Sequence, residues 1–489
     1  MPLCGAGWNS SWIKFDDPGQ QRPDAADRPI RGAVSTSSDL PASRGPLFRL
    51  LRRIIEVQPE EVRALGWSWL YFFSVLSSYY VIRPIRDEMG VAGGVNNLPW
   101  LFTGTLLGMM LVNPPFAALV ARLPRAQFVS VTYRFFMANL LLFFLLLQTT
   151  AGTANIWVGR VFYIWTAVFN LFVVSVFWAF TVDVFTRGQG KRLFGFISAG
   201  GTLGGIAGSA LTTGLVAHIG PTYLLLVSVA LLEVAVFSVR RLSRLSETLR
   251  VKRGLPEEKP AIGGGVWAGI SHTVRSPYLL NISLYMLLFT ILSTFLYFQQ
   301  ATIVDQTIVD RAARTAFFSR IDLLVNVLTL GIQLFLTGRT LKALGVALAL
   351  TVVPALSAIG FLTLGLVPTI AAVVVFQVLR RAGNFAIARP TREVLFTIIP
   401  REDRYKAKSF IDTFVYRAGD QIGAWSYALM GVFSLGISGT AFVAVPISII
   451  WLLNGFWLGR KQEQLALVVA PETAMTKTAA QTAPAPAVE

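Results

Sequence analysis

The sequence is poor in charge. Only 14% of its 489 residues are Asp, Glu, Lys or Arg, where a soluble globular chain carries about 25%. It holds one cysteine, Cys4, and two histidines, His218 and His272. A single cysteine excludes an intramolecular disulfide. The histidines stand in separate loop-like stretches with no partner at metal-ligand spacing, so no metal centre is expected. No GxxxxGK stretch ending in serine or threonine occurs, which excludes a Walker-type ATPase engine. No serine–histidine or cysteine–histidine constellation offers an enzyme, and no cofactor is expected. Acids are scarcer than bases, 26 against 43, leaving a net charge of +17. In so apolar a chain that excess reads as basic loops beside a bilayer, with no nucleic-acid partner.

Apolar residues fill the chain instead: 54% are hydrophobic, and the mean hydropathy is +0.59. Runs near the spanning length of about 20 residues recur at roughly 64–84, 97–121, 127–150, 156–182, 194–217 and 221–239. After a basic interval, SVRRLSRLSETLRVKRGLPEEKP, they resume at roughly 277–300, 315–337, 344–366, 368–398, 409–434 and 437–458. No alternation of period two accompanies them, which argues against a β-barrel. The expected fold is an all-α polytopic membrane protein of about twelve spans. Its expected organisation is a disordered cytoplasmic segment over 1–62, a six-helix half over 63–240 and a cytoplasmic loop over 241–275. A second six-helix half over 276–459 and a disordered cytoplasmic tail over 460–489 complete it. No cleavable signal is expected ahead of the first run.

Charge asymmetry between loops predicts orientation. Alternate loops carry Arg122 and Arg125; Arg187, Lys191 and Arg192; the central interval; Arg339 and Lys342; and Arg401, Arg404, Lys406 and Lys408. The intervening TTAGTAN, VAHIGPTY, GLVPT and SLGISG contain neither lysine nor arginine, and only VDQTIVDRAARTAFFSRID is mixed. Both termini are therefore expected in the cytoplasm, with the chain in the cell inner membrane. The interval from Arg125 to Arg187 equals that from Arg339 to Arg401, so the halves echo each other. Two such halves around a central loop are the major facilitator arrangement, with a substrate site near the midplane between them.

Charges at membrane depth are costly and mark function unless they are paired. Arg380 and Arg381 lie near the middle of the tenth run, Arg160 near the outer end of the fourth, and Arg417 and Asp420 share a face of the eleventh. The end of the first run, YYVIRPIRDEMG, carries Arg83, Arg86, Asp87 and Glu88. Glu233 is expected buried in the sixth run, and Asp322 lies with Asn326 in the eighth. Arginines outnumber acids here, which suits an anion that guanidinium can grip through two hydrogen bonds. Internal ion pairing is the plain alternative for each of them. Gly200, Gly204 and Gly208, in SAGGTLGGIAGSA, repeat at the four-residue spacing of close helix packing.

Three stretches resemble a known family. VIRPIRDEMGVAGG, FWAFTVDVFTRGQGKRLFGFISAGG and NFAIARPTREVLFTIIPREDRYKAKSFIDTFVYRAGD are similar to segments of the non-mitochondrial ATP/ADP translocases, the nucleotide exchange transporters of plastids and intracellular bacteria. The resemblance implies the major facilitator fold and nucleotide antiport. It places Arg86 where that family has a substrate-associated lysine and Asp183 near an acidic or amide position. Arg83, Lys191, Arg192, Pro390, Thr391, Glu393, Lys406, Lys408, Asp412 and Arg417 follow its pattern. Arg392 replaces a lysine, Arg389 an aspartate, and Asp420 stands where a lysine is expected. TILSTFLYFQQ offers Gln299 and Gln300 in place of an acid–lysine pair.

The expected function is secondary active transport of an organic anion by a monomer in the lipid bilayer. Arg83, Arg86, Arg160, Arg380, Arg381 and Arg417 would bind the anion. Asp183 and Glu393 would gate by pairing with loop arginines, Arg187 among them, while Glu233, Asp322 and Asp420 are the candidate coupling acids. Two alternatives remain: a carrier of a cationic or neutral solute, which predicts a cavity dominated by the acids, and a non-transporting receptor or anchor.

Overall fold

The computed structural model describes residues 57–122, 125–185, 187–251, 276–399, 407–408 and 410–482. The described elements are helical, and they follow one another as antiparallel spans. In the first half these are α1 (Val62–Ala92), α2 (Leu98–Arg122), α3 (Arg125–Thr149) and α4 (Gly152–Val184). One further helix, Arg187–Val251, bends at Gly220 into two arms, α5 over 187–219 and α6 over 221–251. Gly220 has φ 76° and ψ 165° and precedes Pro221. A left-handed glycine followed by a residue without an amide hydrogen breaks the ladder and lets the chain reverse there.

The second half comprises α7 (Pro277–Thr307), α8 (Arg311–Phe335), α9 (Thr337–Leu366), α10 (Ile370–Leu395), α11 (411–432) and α12 (Ile437–Thr482). Ser276, Asp310 and Thr369 cap α7, α8 and α10 by accepting a backbone N–H. Such side chains satisfy donors that a helix start leaves free. With twelve spans, both ends of the described chain fall at one end of the bundle, here termed the termini end. The opposite, turn end carries the short connections 93–97, 308–310 and 433–436.

Two apolar cores match the two halves. One is built mainly from residues between Val57 and Leu242, the other from residues between Tyr278 and Leu458. Tyr297, Phe298, Phe318 and Ala424 of the second half join the first core and weld the two. The extensive contacts between halves are those of α1 and α5 with α8, α2 with α11, and α1 with α7.

The glycine row of α5 does what its spacing predicts. Cβ atoms at Gly200, Gly204 and Gly208 would run into Trp69, the Phe73 carbonyl and the Ser77 carbonyl. Those three residues step along one face of α1 at the same four-residue interval. Ser77 Oγ donates to the Gly204 carbonyl at 3.0 Å across the contact. The glycines bring α5 onto the backbone of α1, as small residues do where lipid offers no hydrophobic drive.

Inside α10 and α11 the helix widens by one residue per turn. The Arg389 amide donates to the Asn384 carbonyl, and the Tyr416 amide to the Ile411 carbonyl, both across five residues. Pro390 explains the first, because it cannot donate to the Ala386 carbonyl. Thr337 Oγ1, at the start of α9, donates to that carbonyl instead, at 2.8 Å. Widened turns of this kind often accompany functional sites.

Candidate functional site

The charges of α1, α8 and α10 meet at one level. Arg83 stands nine residues before the end of α1, roughly 14 Å at the helical rise. That is near the middle of a hydrocarbon layer about 30 Å thick. Asp322, on α8, presents Oδ1 at 3.0 Å from Arg83 Nη1 and 2.8 Å from Arg381 Nη1 of α10. One carboxylate oxygen therefore serves two guanidiniums from opposite halves. Alignment is incomplete: Nε and Nη1 of Arg83, Nε and Nη2 of Arg381, and Oδ2 of Asp322 are buried without a hydrogen-bond partner among the described residues. Leaving a buried donor or acceptor unpaired costs roughly 1–3 kcal/mol, and more for charged groups.

Arg380 is held differently. It is 3% exposed, and its Nε donates to Ser357 Oγ at 3.0 Å. Its Nη2 donates to Ser293 Oγ at 2.9 Å and to the Phe289 carbonyl at 3.2 Å. The guanidinium lies 5.2 Å from the Phe289 ring centre and 5.9 Å from that of Trp451. No carboxylate comes within ion-pair distance of it among the described residues. Hydroxyls, a carbonyl and aromatic faces hold this cation in place without neutralising it.

Arg83, Arg380, Arg381 and Asp322 line a small cavity between the halves, together with Asp87, Tyr297, Gln300 and Gln377. Its volume is about 30 Å³, room for a water or two. Gln377 Nε2 donates to Gln300 Oε1 across α10 and α7. Nearby, Tyr80 OH donates to Asn326 Oδ1 at 3.2 Å, joining α1 to α8.

Toward the turn end the halves are stitched shut. Arg86 pairs with its neighbour Asp87 and lies 5.1 Å from the Tyr163 ring centre. Tyr163 OH donates to Tyr297 OH at 3.1 Å, and Tyr297 OH donates to Asp87 Oδ1 at 3.1 Å. A tyrosine of α7 is thus threaded between α4 and α1. Further out, Arg311 grips Glu88 with two hydrogen bonds of 2.9 and 3.2 Å. Beside this, Thr103 Oγ1 donates to Gln421 Oε1 at 3.0 Å and accepts from Trp425 Nε1 at 3.2 Å. Trp425 also stacks edge-on against Trp100, with ring centres 4.8 Å apart.

The candidate residues separate accordingly. Arg83, Arg380, Arg381 and Asp322 come together. Arg86 is fully buried beside them but committed to Asp87. Arg160 does not line the cavity: its Nη2 donates to the Gly93 carbonyl at the turn end, at 3.1 Å, over the Trp157 ring. Arg417 pairs with Asp420 at 3.2 Å, the local pairing their spacing allows. Glu393 pairs with Lys408 at 2.6 Å, a lysine in place of the expected loop arginine, and Arg392 lies 3.3 Å from Asp412. Glu233, expected buried, is exposed on the outer face of α6; an apolar run does not reveal which of its faces meets the bundle. Asp183 is exposed near the end of α4. The side chains of Arg187, Lys191, Arg122 and Arg125, with Arg401, Arg404, Lys406, Cys4 and His272, lie outside the described residues. So do most of the expected N-terminal segment and central loop.

Sequence reasoning did not single out Tyr297, Gln377, Ser293 or Glu88's partner Arg311. The mixed charge of the loop before α8 was a signal for Arg311, since it broke the pattern of its neighbours.

No family model matches the sequence, and no curated protein matches it. Solved structures do match in fold. A bacterial homologue of the human lysosomal transporter Spinster, inward-facing and unoccupied, is 14% identical with a TM-score of 0.55, covering 84% of this chain and 99% of that one. An auto-inhibited POT family peptide transporter is 14% identical with a TM-score of 0.56, covering 81% and 96%. An inward-facing bacterial homologue of the iron transporter ferroportin is 14% identical with a TM-score of 0.57, covering 82% and 98%. The chain is a multi-pass, all-α membrane protein with the two-half major facilitator fold.

Proposed function

We propose that this chain is a secondary active transporter that carries an organic anion by alternating access of the two halves. The observation that carries the reading is Arg380. A cation without a carboxylate partner among the described residues, at membrane depth and beside a cavity between the halves, is costly unless it serves a pathway. Arg381 and Arg83 add two more guanidiniums, which share one counter-charge. The neighbours in fold are described as transporters, which supports transport as the use of the cavity. Nucleotides enter as cargo candidates through the resemblance of the first, fourth-to-fifth and tenth-to-eleventh segments to the ATP/ADP translocases.

The basic loops support cytoplasmic termini, with the sealed turn end outward and the cavity reached from the cytoplasm. Cargo larger than water enters only as the side chains around the cavity separate, which rocking of one half against the other provides. Uptake of labelled nucleotides, phosphate esters and dicarboxylates into proteoliposomes, with and without internal counter-substrate, tests the reading. Anion uptake is expected; robust uptake of a cation with none of any anion would overturn it.

A further inference from the structure

Asp322 occupies an unusual place. Its carboxylate lies where the guanidiniums of Arg83, from the first half, and Arg381, from the second, converge. It is 2% exposed, and its two cationic neighbours retain buried N–H groups with no acceptor among the described residues. A carboxylate evolved only to neutralise an arginine pair would present both oxygens to them, the geometry in which guanidinium binds best. Here one oxygen is shared and the other is left over. The arginines are set for an oxyanion with more acceptors than this side chain offers.

We propose that Asp322 is a resident stand-in for the transported anion, and that the cargo which takes over its arginines is a small dianion, a dicarboxylate or a phosphate monoester. This rests on the transport reading above and names both its substrate class and its coupling mode.

Charge selects the dianion. Five ionisable groups line the cavity: Arg83, Arg380, Arg381, Asp87 and Asp322. Asp87 is engaged by Arg86 from behind. Three guanidiniums then face one carboxylate, an excess of two positive charges. A dianion balances that excess with the Asp322 carboxylate beside it. A monoanion leaves a positive charge buried, and a nucleoside triphosphate overshoots. An uncompensated charge at this depth is the costly case in either direction.

The stand-in role follows from the topology. Arg83 belongs to α1 and Arg381 to α10, so an anion between them ties the halves at mid-depth. On the return step without cargo, two facing guanidiniums would repel and hold the halves apart. A carboxylate built into α8 takes the place of the cargo and lets that step proceed. An obligate exchanger has no need of such a group, because cargo occupies its site in both directions. Asp322 therefore points to net transport.

The test uses the purified full-length chain in proteoliposomes at pH 7.5, loaded either with buffer alone or with unlabelled probe. The probes are succinate and glycerol phosphate as dianions, lactate as a monoanion, and ATP. The wild type is expected to take up the dianions in preference to lactate and ATP, and to do so without internal anion. In Asp322→Asn the ratio of net uptake to exchange is expected to fall at least about tenfold, because a buried cation pair is then left without its counter-charge. Asp322→Glu is expected to restore the ratio in part. A variant that fails to fold is recognised by size exclusion in detergent. In that case Asp322→Asn combined with Arg83→Gln, which removes one charge of each sign and with it the repulsion between facing guanidiniums, supplies the comparison. Its ratio is expected to stay near that of Arg83→Gln alone, and a fall of about tenfold there would overturn the stand-in.

Binding gives a second readout independent of turnover. Succinate is expected to raise the melting temperature of Asp322→Asn more than that of the wild type, because the resident competitor is gone. An unchanged ratio of net uptake to exchange in Asp322→Asn overturns the stand-in, and preference for lactate or ATP overturns the dianion. If the wild type moves none of the probes in either loading, the transport reading fails and takes this one with it. That result is distinct from transport that ignores residue 322.

Discussion

Arg380 and Arg160 are both arginines within membrane spans, and the structure gives them opposite surroundings. Arg380 is wedged among Ser293, Ser357 and aromatic rings beside the cavity. Arg160 reaches a backbone carbonyl at the turn end. Arg380→Gln keeps hydrogen-bonding capacity but removes the charge, and is expected to lower anion uptake by at least about tenfold, the scale of losing one charged contact in a desolvated site. Arg160→Gln is expected to stay within about twofold of wild type, as changes away from such sites do. Uptake rates normalised to reconstituted protein decide both; equal losses would mean the cavity has been assigned to the wrong arginines. Arg380 and Arg381 were legible in the sequence because two charges mid-run have few tolerable explanations. Glu233 misled for the complementary reason: hydropathy shows that a helix spans, not which face is covered. Tyr297 and Gln377 left no trace because a hydroxyl or amide within an apolar run is unremarkable until its partner on another helix is known.

At the level of elements, length and apolarity were enough to find the spans, and the structure shows where those criteria thin out. Among the described residues nine helices are long and apolar enough to cross a membrane by composition alone. The others are absorbed differently: α5 and α6 run together through the Gly220 bend, while α1 and α11 carry the charges that build the site and its surroundings. One of the elements hardest to recognise by hydropathy, α1, thus lines the cavity, because buried polar groups lower a helix's apolar character. The widened turns of α10 and α11 were not legible, although Pro390 marks one of them in hindsight. The glycine row was fully legible, since only close packing uses that spacing in an apolar helix. Gly204→Leu would drive a side chain into the Phe73 carbonyl and is expected to destabilise the α1–α5 contact by about 1–3 kcal/mol or more. Gly214→Leu, on the same helix with nothing within 4 Å of its Cβ position, is the matched control. Melting temperature in detergent measures both, and equal shifts would show that α5 does not seat on α1 through this row.

On the scale of the whole molecule, two sets of polar contacts between halves differ in their relation to the cavity. At mid-depth, Arg83 of α1 pairs with Asp322 of α8, which also holds Arg381 of its own half, and all three line the cavity. Those toward the turn end, Glu88 on Arg311 and Thr103 on Gln421, do not reach it. Asp87 and Tyr297 belong to both sets, since they line the cavity and stitch the halves together. Tyr297 also accepts from Tyr163, so one chain of hydrogen bonds joins the cavity lining to the turn-end contacts, the kind of link a two-state gate would break and remake. If the halves rock, the turn-end contacts must break once per cycle, and tying them must stop turnover. Thr103→Cys with Gln421→Cys, in a Cys4→Ser background that removes the one native thiol, places a cross-linkable pair across α2 and α11. Joined by a short bifunctional thiol reagent, this variant is expected to lose net uptake almost completely. Joined through a reagent with a cleavable disulfide, it is expected to recover uptake on reduction. Binding should persist in the joined form if the arginines are reached from the termini end, as the proposed function has it; a melting shift with succinate reads this directly. Undiminished transport in quantitatively cross-linked protein would mean that the turn end does not open, and that cargo moves by a route other than alternation of the halves.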